Sequence, residues 1–173
     1  GLISVEQVIL SFVDREDLKT GYVTAVNRLL PQLSRSAEPL SCADLIYITR
    51  QGHCRLFLAI DNTQSGISES VVGMAMIFFV DRPEGWLGQI HSVVVDKPYR
   101  GQHIGSMLLK KLLESAQLRA RLEGQEIKLE LTSNPNNQDR ATAIKMYEKY
   151  GFKLVALAVD QDGTNLYRLV VTP

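Results

Sequence analysis

The segment that decides the fold is IHSVVVDKPYRGQHIGSMLLKKLLES, residues 90–115. It begins as an apolar run, is interrupted at Lys97 and Pro98, and then passes two glycines, Gly101 and Gly105. After the second glycine, apolar residues recur every three or four positions, which is typical of an amphipathic helix. The pattern predicts a strand, a glycine-containing turn and a long helix.

The turn is a candidate anion site. Glycine lets the backbone approach a ligand closely, and the free N–H groups of a helix's first turn favour an anion. A P-loop is excluded, because Gly105 is followed by Ser106 and Met107 where that motif requires lysine and then serine or threonine. A dinucleotide fingerprint is also absent. From these residues alone, a pyrophosphate cradle and a plain turn before a helix remain open.

Composition limits the classes of partner. The chain has 173 residues, enough for one domain, and its 19 Lys and Arg balance its 19 Asp and Glu. Zero net charge argues against a nucleic-acid partner, and no apolar run is long enough to cross a membrane. Two cysteines and three scattered histidines predict neither a disulfide framework nor a metal site. With no signal peptide visible, we expect a cytoplasmic protein.

Hydrophobic periodicity predicts the order of elements along the chain. Strands are expected at residues 6–12, 54–61, 71–80, 87–95, 126–132, 152–159 and 164–171. Helices are expected at residues 18–30, 42–50, from 104 onward, and at 140–150. Asp14 or Asp17 could cap the first helix, which should end near Pro31, while Ser41 caps the second and Gly151 ends the last. This order predicts an α/β (α+β) domain with a mixed sheet.

Two blocks of this sequence resemble the GNAT superfamily of acetyl-CoA-dependent N-acetyltransferases. The family's central motif is a strand, a turn and Gln/Arg-x-x-Gly-x-Gly/Ala, and here Arg100 and Gly105 occupy its ends while His103 replaces the middle glycine. ATAIKMYEKYGFK, residues 141–153, resembles the family's A-x-x-x-Y-x-x-x-GF block. The resemblance implies one GNAT domain over residues 1–173. Its sheet would be mostly antiparallel, with six to seven strands, a central splay and about four flanking helices.

The resemblance also implies a cofactor site for acetyl-CoA, with coenzyme A as the product. The pantetheine arm would pair with the backbone of Val93, Val94 and Val95, and an N–H group there would hold the oxyanion. The acceptor amine would attack the thioester directly, without an acyl-enzyme. Asn134 is a further candidate cofactor residue. The pyrophosphate would lie on the turn, whose candidate residues are Arg100, Gly101, Gln102, His103, Ile104, Gly105 and Ser106.

Two residues are candidates for the proton transfers of this reaction. Tyr147 matches the family tyrosine that often protonates the departing thiolate, although its helical neighbours also suit a core tyrosine. His91 stands where many relatives carry a carboxylate, and a histidine is a suitable base at neutral pH. Strand alternation predicts that His91 and Ser92 lie on opposite faces of the sheet. A histidine that is only a hydrogen-bonded strand residue is the competing interpretation. In that case water, or a carboxylate from the early helices, would take the proton.

The function implied by the resemblance is acetyl transfer to a primary amine, with a small molecule favoured over a protein. The acceptor would lie between the early helices and the sheet, near Tyr22, Asn27 and Ser34, none of which the sequence singles out. The alternatives are acetylation of a protein amine, a coenzyme A-binding regulatory domain without activity, and an unrelated α/β nucleotide binder. A homodimer is compatible with each interpretation.

Overall fold

The computed structural model describes residues 2–173, with the side chains of residues 138 and 139 excepted. The described chain contains seven strands and five α-helices. The strands form one sheet of order β1-β2-β3-β4-β5-β7-β6. The strands are β1 Ile3–Val8, β2 Cys54–Asp61, β3 Val71–Arg82, β4 Gly85–Val95, β5 Ile127–Ser133, β6 Lys153–Ala156 and β7 Asn165–Val171. The helices are α1 Glu16–Leu33, α2 Cys42–Arg50, α3 Ile67–Ser70, α4 Ile104–Glu123 and α5 Gln138–Lys149, with a 3-10 turn at Lys97–Tyr99.

Strand pairing confirms the predicted fold class. The pairs β1–β2, β2–β3, β5–β7 and β6–β7 are antiparallel, whereas β4 and β5 are parallel and joined through α4. A parallel pair needs such a crossover connection. The β4–β5 ladder contains four pairs, from Trp86 opposite Ile127 to Gln89 opposite Glu130, although both strands continue beyond it. A ladder this short agrees with the expected splay.

The chain divides into two compact units. The first, residues 1–78 and 91–112, holds β1, β2, most of β3, the end of β4 and helices α1 to α3. Its core is formed by apolar residues of α1 and α2 against strand residues: Ala25, Val26, Leu29, Leu45, Ile46, Leu56, Leu58, Met74 and Val94. The second unit, residues 79–90 and 113–173, holds β5, β6, β7 and α5.

Helix boundaries in the first unit follow local chemistry. Ser41 caps α2 as predicted, because its side chain accepts a hydrogen bond from the Asp44 N–H while the Asp44 carboxylate accepts from the Ser41 N–H. The predicted end of α1 near Pro31 agrees with the structure, in which the helix includes this proline and ends at Leu33. No side chain caps its start, and the Asp14 carboxylate instead accepts from the Ser11 N–H at 2.8 Å.

Two predicted strands are misplaced or too long. The first strand ends at Val8 because the next backbone groups bind side chains, as when the Leu10 N–H donates to the Thr49 hydroxyl at 3.0 Å. Strand β6 ends at Ala156 because Ala158 has φ +46° and the Val159 N–H closes a turn on the Thr164 carbonyl at 2.9 Å. The predicted loop after β2 also contains the short helix α3.

Gly151 ends α5 with φ +97°, so its predicted capping role is confirmed. Gly151→Ala should lower the free energy of unfolding by about 1–2 kcal/mol, because a Cβ is disfavoured at positive φ and would lie 3.3 Å from Leu169 Cδ1. The measurement is equilibrium denaturation. Gly52→Ala is the matched control, since nothing lies within 4 Å of its added Cβ. Equal effects of the two substitutions would contradict this account.

Candidate active site

Within strand β4, Ser92 has a φ of +56°, which is rare for a residue with a side chain. In a regular strand, His91 and Ser92 would face opposite sides of the sheet, as the alternation along the sequence predicted. Instead both line the same cavity, and the next two residues, Val93 and Val94, are both buried. The expected alternation was therefore wrong at this point, and the left-handed residue is the reason.

The cavity lies in the first unit, between α1, α2 and the strands β2 to β4, and has a volume of about 410 Å³. Apart from His91 and Ser92, the side chains that line it are apolar. These are Val26, Leu30, Leu40, Leu45, Ile48, Leu56, Met74, Met76 and Phe78. A concave, mainly apolar site with few polar groups is the usual form of a small-molecule pocket.

His91 stands at the polar side of this cavity. Its ring packs edge-on against Phe78, with ring centroids 5.5 Å apart, while the other face of the residue is exposed. Burial of the covered part lowers the pKa of His91 below its ordinary value of 6.5. The imidazole is therefore neutral at pH 7 and available to accept a proton. Sequence reasoning did not identify Phe78, which is indistinguishable in the pattern from other core residues of β3.

The turn after β4 is anchored to α1 by side chains. Gln32 accepts hydrogen bonds from the Lys97 N–H at 3.0 Å and from Arg100 Nη2 at 3.3 Å, and its Nε2 donates to Asp96 Oδ1 at 2.9 Å. The Arg28 Nε donates to Asp96 Oδ2 at 3.2 Å. These contacts hold the turn in place from outside. They could not be predicted from local sequence patterns, since Gln32 and Asp96 are 64 residues apart.

Arg100 is exposed, and its guanidinium already has partners within the protein. Its Nε donates to the Val95 carbonyl at 3.0 Å, in addition to the contact with Gln32. Arg100 therefore closes the turn back on β4. Its predicted contact with the cofactor stays a prediction, as do those of Val93, Val94 and Val95.

The backbone from residue 101 to 106 presents unused donors. Within the described residues, none of the N–H groups of Gly101, Gln102, His103, Ile104, Gly105 and Ser106 donates a hydrogen bond. Gly101 has φ +80° and His103 has φ +64°, so the chain turns sharply before α4 begins at Ile104. Successive free N–H groups at a helix N-terminus suit a phosphate group. The residues present therefore fit the pyrophosphate of acetyl-CoA.

Tyr147 belongs to the second unit and is 2% exposed. Its ring packs against Phe152 at 5.9 Å between centroids. Burial raises the pKa of Tyr147, while the charge of Arg140 and its hydrogen bonding to the tyrosine act in the opposite direction. The phenol is thus protonated at neutral pH. The sequence did not predict the pairing of Arg140 with Tyr147.

Asn134, a predicted cofactor residue, forms hydrogen bonds with two loops of the protein. Its Nδ2 donates to the Asp162 carbonyl at 3.0 Å and its Oδ1 accepts from the Asn136 N–H at 2.9 Å. These contacts connect the exit of β5 to the turn between β6 and β7. A cofactor role for Asn134 stays a prediction.

Other catalytic chemistries find little support among the described residues. Cys54 is buried, and burial raises its pKa to about 11, so its thiol is a poor nucleophile. No group of three or more described His, Cys, Asp or Glu side chains could hold a metal ion. Of the helices in the described chain, none combines the length and apolarity needed to span a bilayer.

Comparison with known proteins identifies the family. Residues 23–152 match the model of the "Acetyltransferase (GNAT) family". A GNAT-family acetyltransferase from Streptococcus pneumoniae is structurally similar, with a TM-score of 0.72, 17% identity and coverage of 98% of this chain and 99% of that one. No curated protein sequence matches the chain.

Two further solved structures have the same fold. Arabidopsis thaliana NAA60, in complex with acetyl-CoA, has a TM-score of 0.67 at 17% identity, with 98% of each chain covered. The ribosomal-protein-S18-alanine N-acetyltransferase of Escherichia coli has a TM-score of 0.60 at 18% identity, with 99% of this chain and 95% of that one covered. The class defined by the fold and the family match is that of the acetyltransferases. The chain belongs to the GNAT family, which supports acetyl-CoA as its cosubstrate.

The left-handed conformation of His103 predicts the effect of replacing it. His103→Gly should change the dissociation constant for acetyl-CoA by less than about threefold, or about 0.7 kcal/mol, because glycine adopts φ +64° readily and keeps the N–H group. Isothermal calorimetry provides the measurement. Gly101→Ala is the contrasting variant and should weaken binding, since a Cβ is disfavoured at φ +80°. A large loss in His103→Gly would mean that the imidazole itself contacts the cofactor.

Proposed function

We propose that this protein transfers the acetyl group of acetyl-CoA to the primary amine of a small molecule. The amine attacks the thioester carbonyl directly, and a tetrahedral intermediate collapses to release coenzyme A. The observation that carries the proposal is the position of His91, a neutral imidazole beside an open apolar cavity, on the strand that leads into the turn of free N–H groups. Residues 1–173 act as one catalytic domain in this proposal, since the family match runs through both compact units.

In this mechanism the base and the acid are separate residues. His91 takes a proton from the acceptor ammonium, which cannot attack while it is charged. Tyr147 gives its phenolic proton to the departing thiolate and is restored by the second proton that the attacking nitrogen loses, a role supported by its position in the A-x-x-x-Y-x-x-x-GF block. Its raised pKa keeps the phenol protonated until the thiolate forms. The N–H groups of residues 101–106 hold the pyrophosphate, and Gln32 and Asp96 keep the start of that turn in place.

A protein amine is the second candidate acceptor. It is favoured by one structurally similar protein, the ribosomal-protein-S18-alanine N-acetyltransferase of Escherichia coli. The same base, acid and turn would serve either acceptor.

The test of the proposed function is thiol release from acetyl-CoA in the presence of a panel of amines. Turnover is expected with the wild type, and Tyr147→Phe should lower kcat by about 100-fold, at the low end of the contribution of general acids. Cofactor affinity should be retained because the ring can still pack on Phe152. Tyr150→Phe, in the same helical region, is the matched control. An unchanged kcat would remove Tyr147 from the acid role, and acetyl-CoA binding without turnover on any amine would favour a binding domain.

The proposed base predicts a pH profile. As pH rises, kcat/KM should increase with a midpoint below 6.5, because burial against Phe78 lowers the pKa of His91 and the neutral form is the active one. Phe78→Ala should move this midpoint upward, since water then reaches the ring and stabilises its charged form. The acceptor's own ionisation lies much higher, near pKa ~10.4 for an alkyl ammonium.

Two variants control this experiment. His91→Ala should abolish the low-pH limb, whereas His53→Ala should leave it in place, because His53 lies against the same Phe78 ring without lining the cavity. If the rise of kcat/KM at low pH persists in His91→Ala, another group is the base.

A further inference from the structure

We propose that the cavity beside His91 binds an apolar group of the acceptor, so that the substrate is a primary amine attached to an aliphatic or aromatic group. This inference rests on the proposed function and adds the class of acceptor. It commits to one occupant, the apolar part of the molecule whose amine is acetylated.

The lining of the cavity determines the chemistry of its occupant. Of the described side chains that line it, nine are apolar, two are polar and none is a carboxylate, lysine or arginine. A sugar, a polyamine or an acidic substrate would leave its polar groups without partners there, which is costly. Water is also a poor occupant, because a buried water needs two to four polar partners. An apolar ligand group is the occupant that these walls favour.

The polarity of the lining orients the occupant. Val26, Leu45, Leu56 and Met74 are each at most 1% exposed and form the inner walls, whereas His91 is exposed. An amphipathic amine therefore enters with its apolar end inward and leaves its nitrogen at His91. This is the orientation in which the imidazole can accept the ammonium proton.

The size of the cavity allows a substantial group. An engineered cavity of about 150 Å³ is enough to hold benzene, and this one is about 410 Å³. Two of its walls are methionines, Met74 and Met76, whose flexible side chains adapt to irregular shapes. Several branched or aromatic groups should therefore be accepted.

One wall is held in place by a side chain from α1. Leu40 lies in the connection between α1 and α2, and the amide of Asn27 clamps its backbone from both sides. Asn27 Oδ1 accepts from the Leu40 N–H at 2.8 Å, and Asn27 Nδ2 donates to the Leu40 carbonyl at 2.9 Å. The clamp makes Leu40 a fixed wall of the pocket, and so a suitable position at which to reduce its volume.

The test uses a series of linear primary amines from ethylamine to octylamine in the thiol-release assay. Each methylene added to the amine should raise kcat/KM by about fourfold, because it is buried in the pocket, until the pocket is filled. Leu40→Trp should weaken the dependence of kcat/KM on the chain length of the amine, because the larger side chain occupies the cavity. Glu38→Trp is the matched control, because it adds the same side chain at an exposed position of the same connection, and it should retain the dependence.

A second arm distinguishes free amines from peptide amines. A tetrapeptide with an N-terminal leucine is compared with the same peptide beginning with aspartate, and with isopentylamine. Preference for the leucine peptide over both others identifies an N-terminal amine as the source of the apolar group. Preference for isopentylamine identifies a small molecule.

The outcomes separate this inference from the proposed function. If the wild type is active but its kcat/KM does not rise with the chain length of the amine, the apolar pocket is overturned and acetyl transfer is left intact. If no amine is acetylated, calorimetric binding of hexylamine and ethylamine in the presence of coenzyme A tests whether the pocket binds apolar groups. If hexylamine binds more tightly than ethylamine and Leu40→Trp removes this difference, the apolar pocket is supported and the proposed catalysis is overturned. If the two amines bind equally, the pocket is overturned. Should Leu40→Trp fail to fold, Leu40→Asn tests the same position. It should reduce the gain in kcat/KM per methylene, because it makes part of the lining polar.

Discussion

The left-handed conformation of Ser92 is the constraint on which the site depends. A residue with a side chain held at positive φ costs about 1–3 kcal/mol, and such strain persists only where the surroundings enforce it. Here it separates two parts of β4 that have different roles. Residues 86–89 pair with β5, whereas His91 and Ser92 line the cavity and Val95 leads toward the turn. A regular strand could not place two consecutive side chains against one cavity.

The turn that follows depends on a second constraint, supplied by α1. Free N–H groups are useful to a phosphate only if their directions are fixed before the ligand arrives, because ordering a loop on binding reduces affinity. Gln32 fixes the start of the turn through its hydrogen bonds to Asp96 and Lys97, and Arg28 completes the arrangement by pairing with Asp96. The helix that borders the proposed acceptor cavity thus also positions the candidate cofactor turn.

Local chemistry made much of the fold predictable from sequence. Ser41 with Asp44 specified a helix start and Gly151 a helix end, and the alternating strands gave the sheet class, because each of these signals lies within a few residues. The motif around residues 100–105 predicted the turn for the same reason. What local patterns could not supply was the conformation of Ser92 and the contact between Gln32 and Asp96, which depend on tertiary packing. The pairing of His91 with Phe78 is of the same kind.

The use of histidine as the candidate base is consistent with the apolar cavity beside it. A carboxylate in its basic form carries a charge, and apolar walls oppose that charge, whereas an imidazole is neutral as a base and becomes charged only after it has taken the proton. A carboxylate would also attract any ammonium by charge alone. With His91 and Ser92 as the polar lining, the cavity has no carboxylate to provide that attraction, and under the proposal the acceptor is selected by the burial of its apolar group. The neutral base proposed at His91 and the hydrophobic lining of the cavity therefore point to the same kind of substrate.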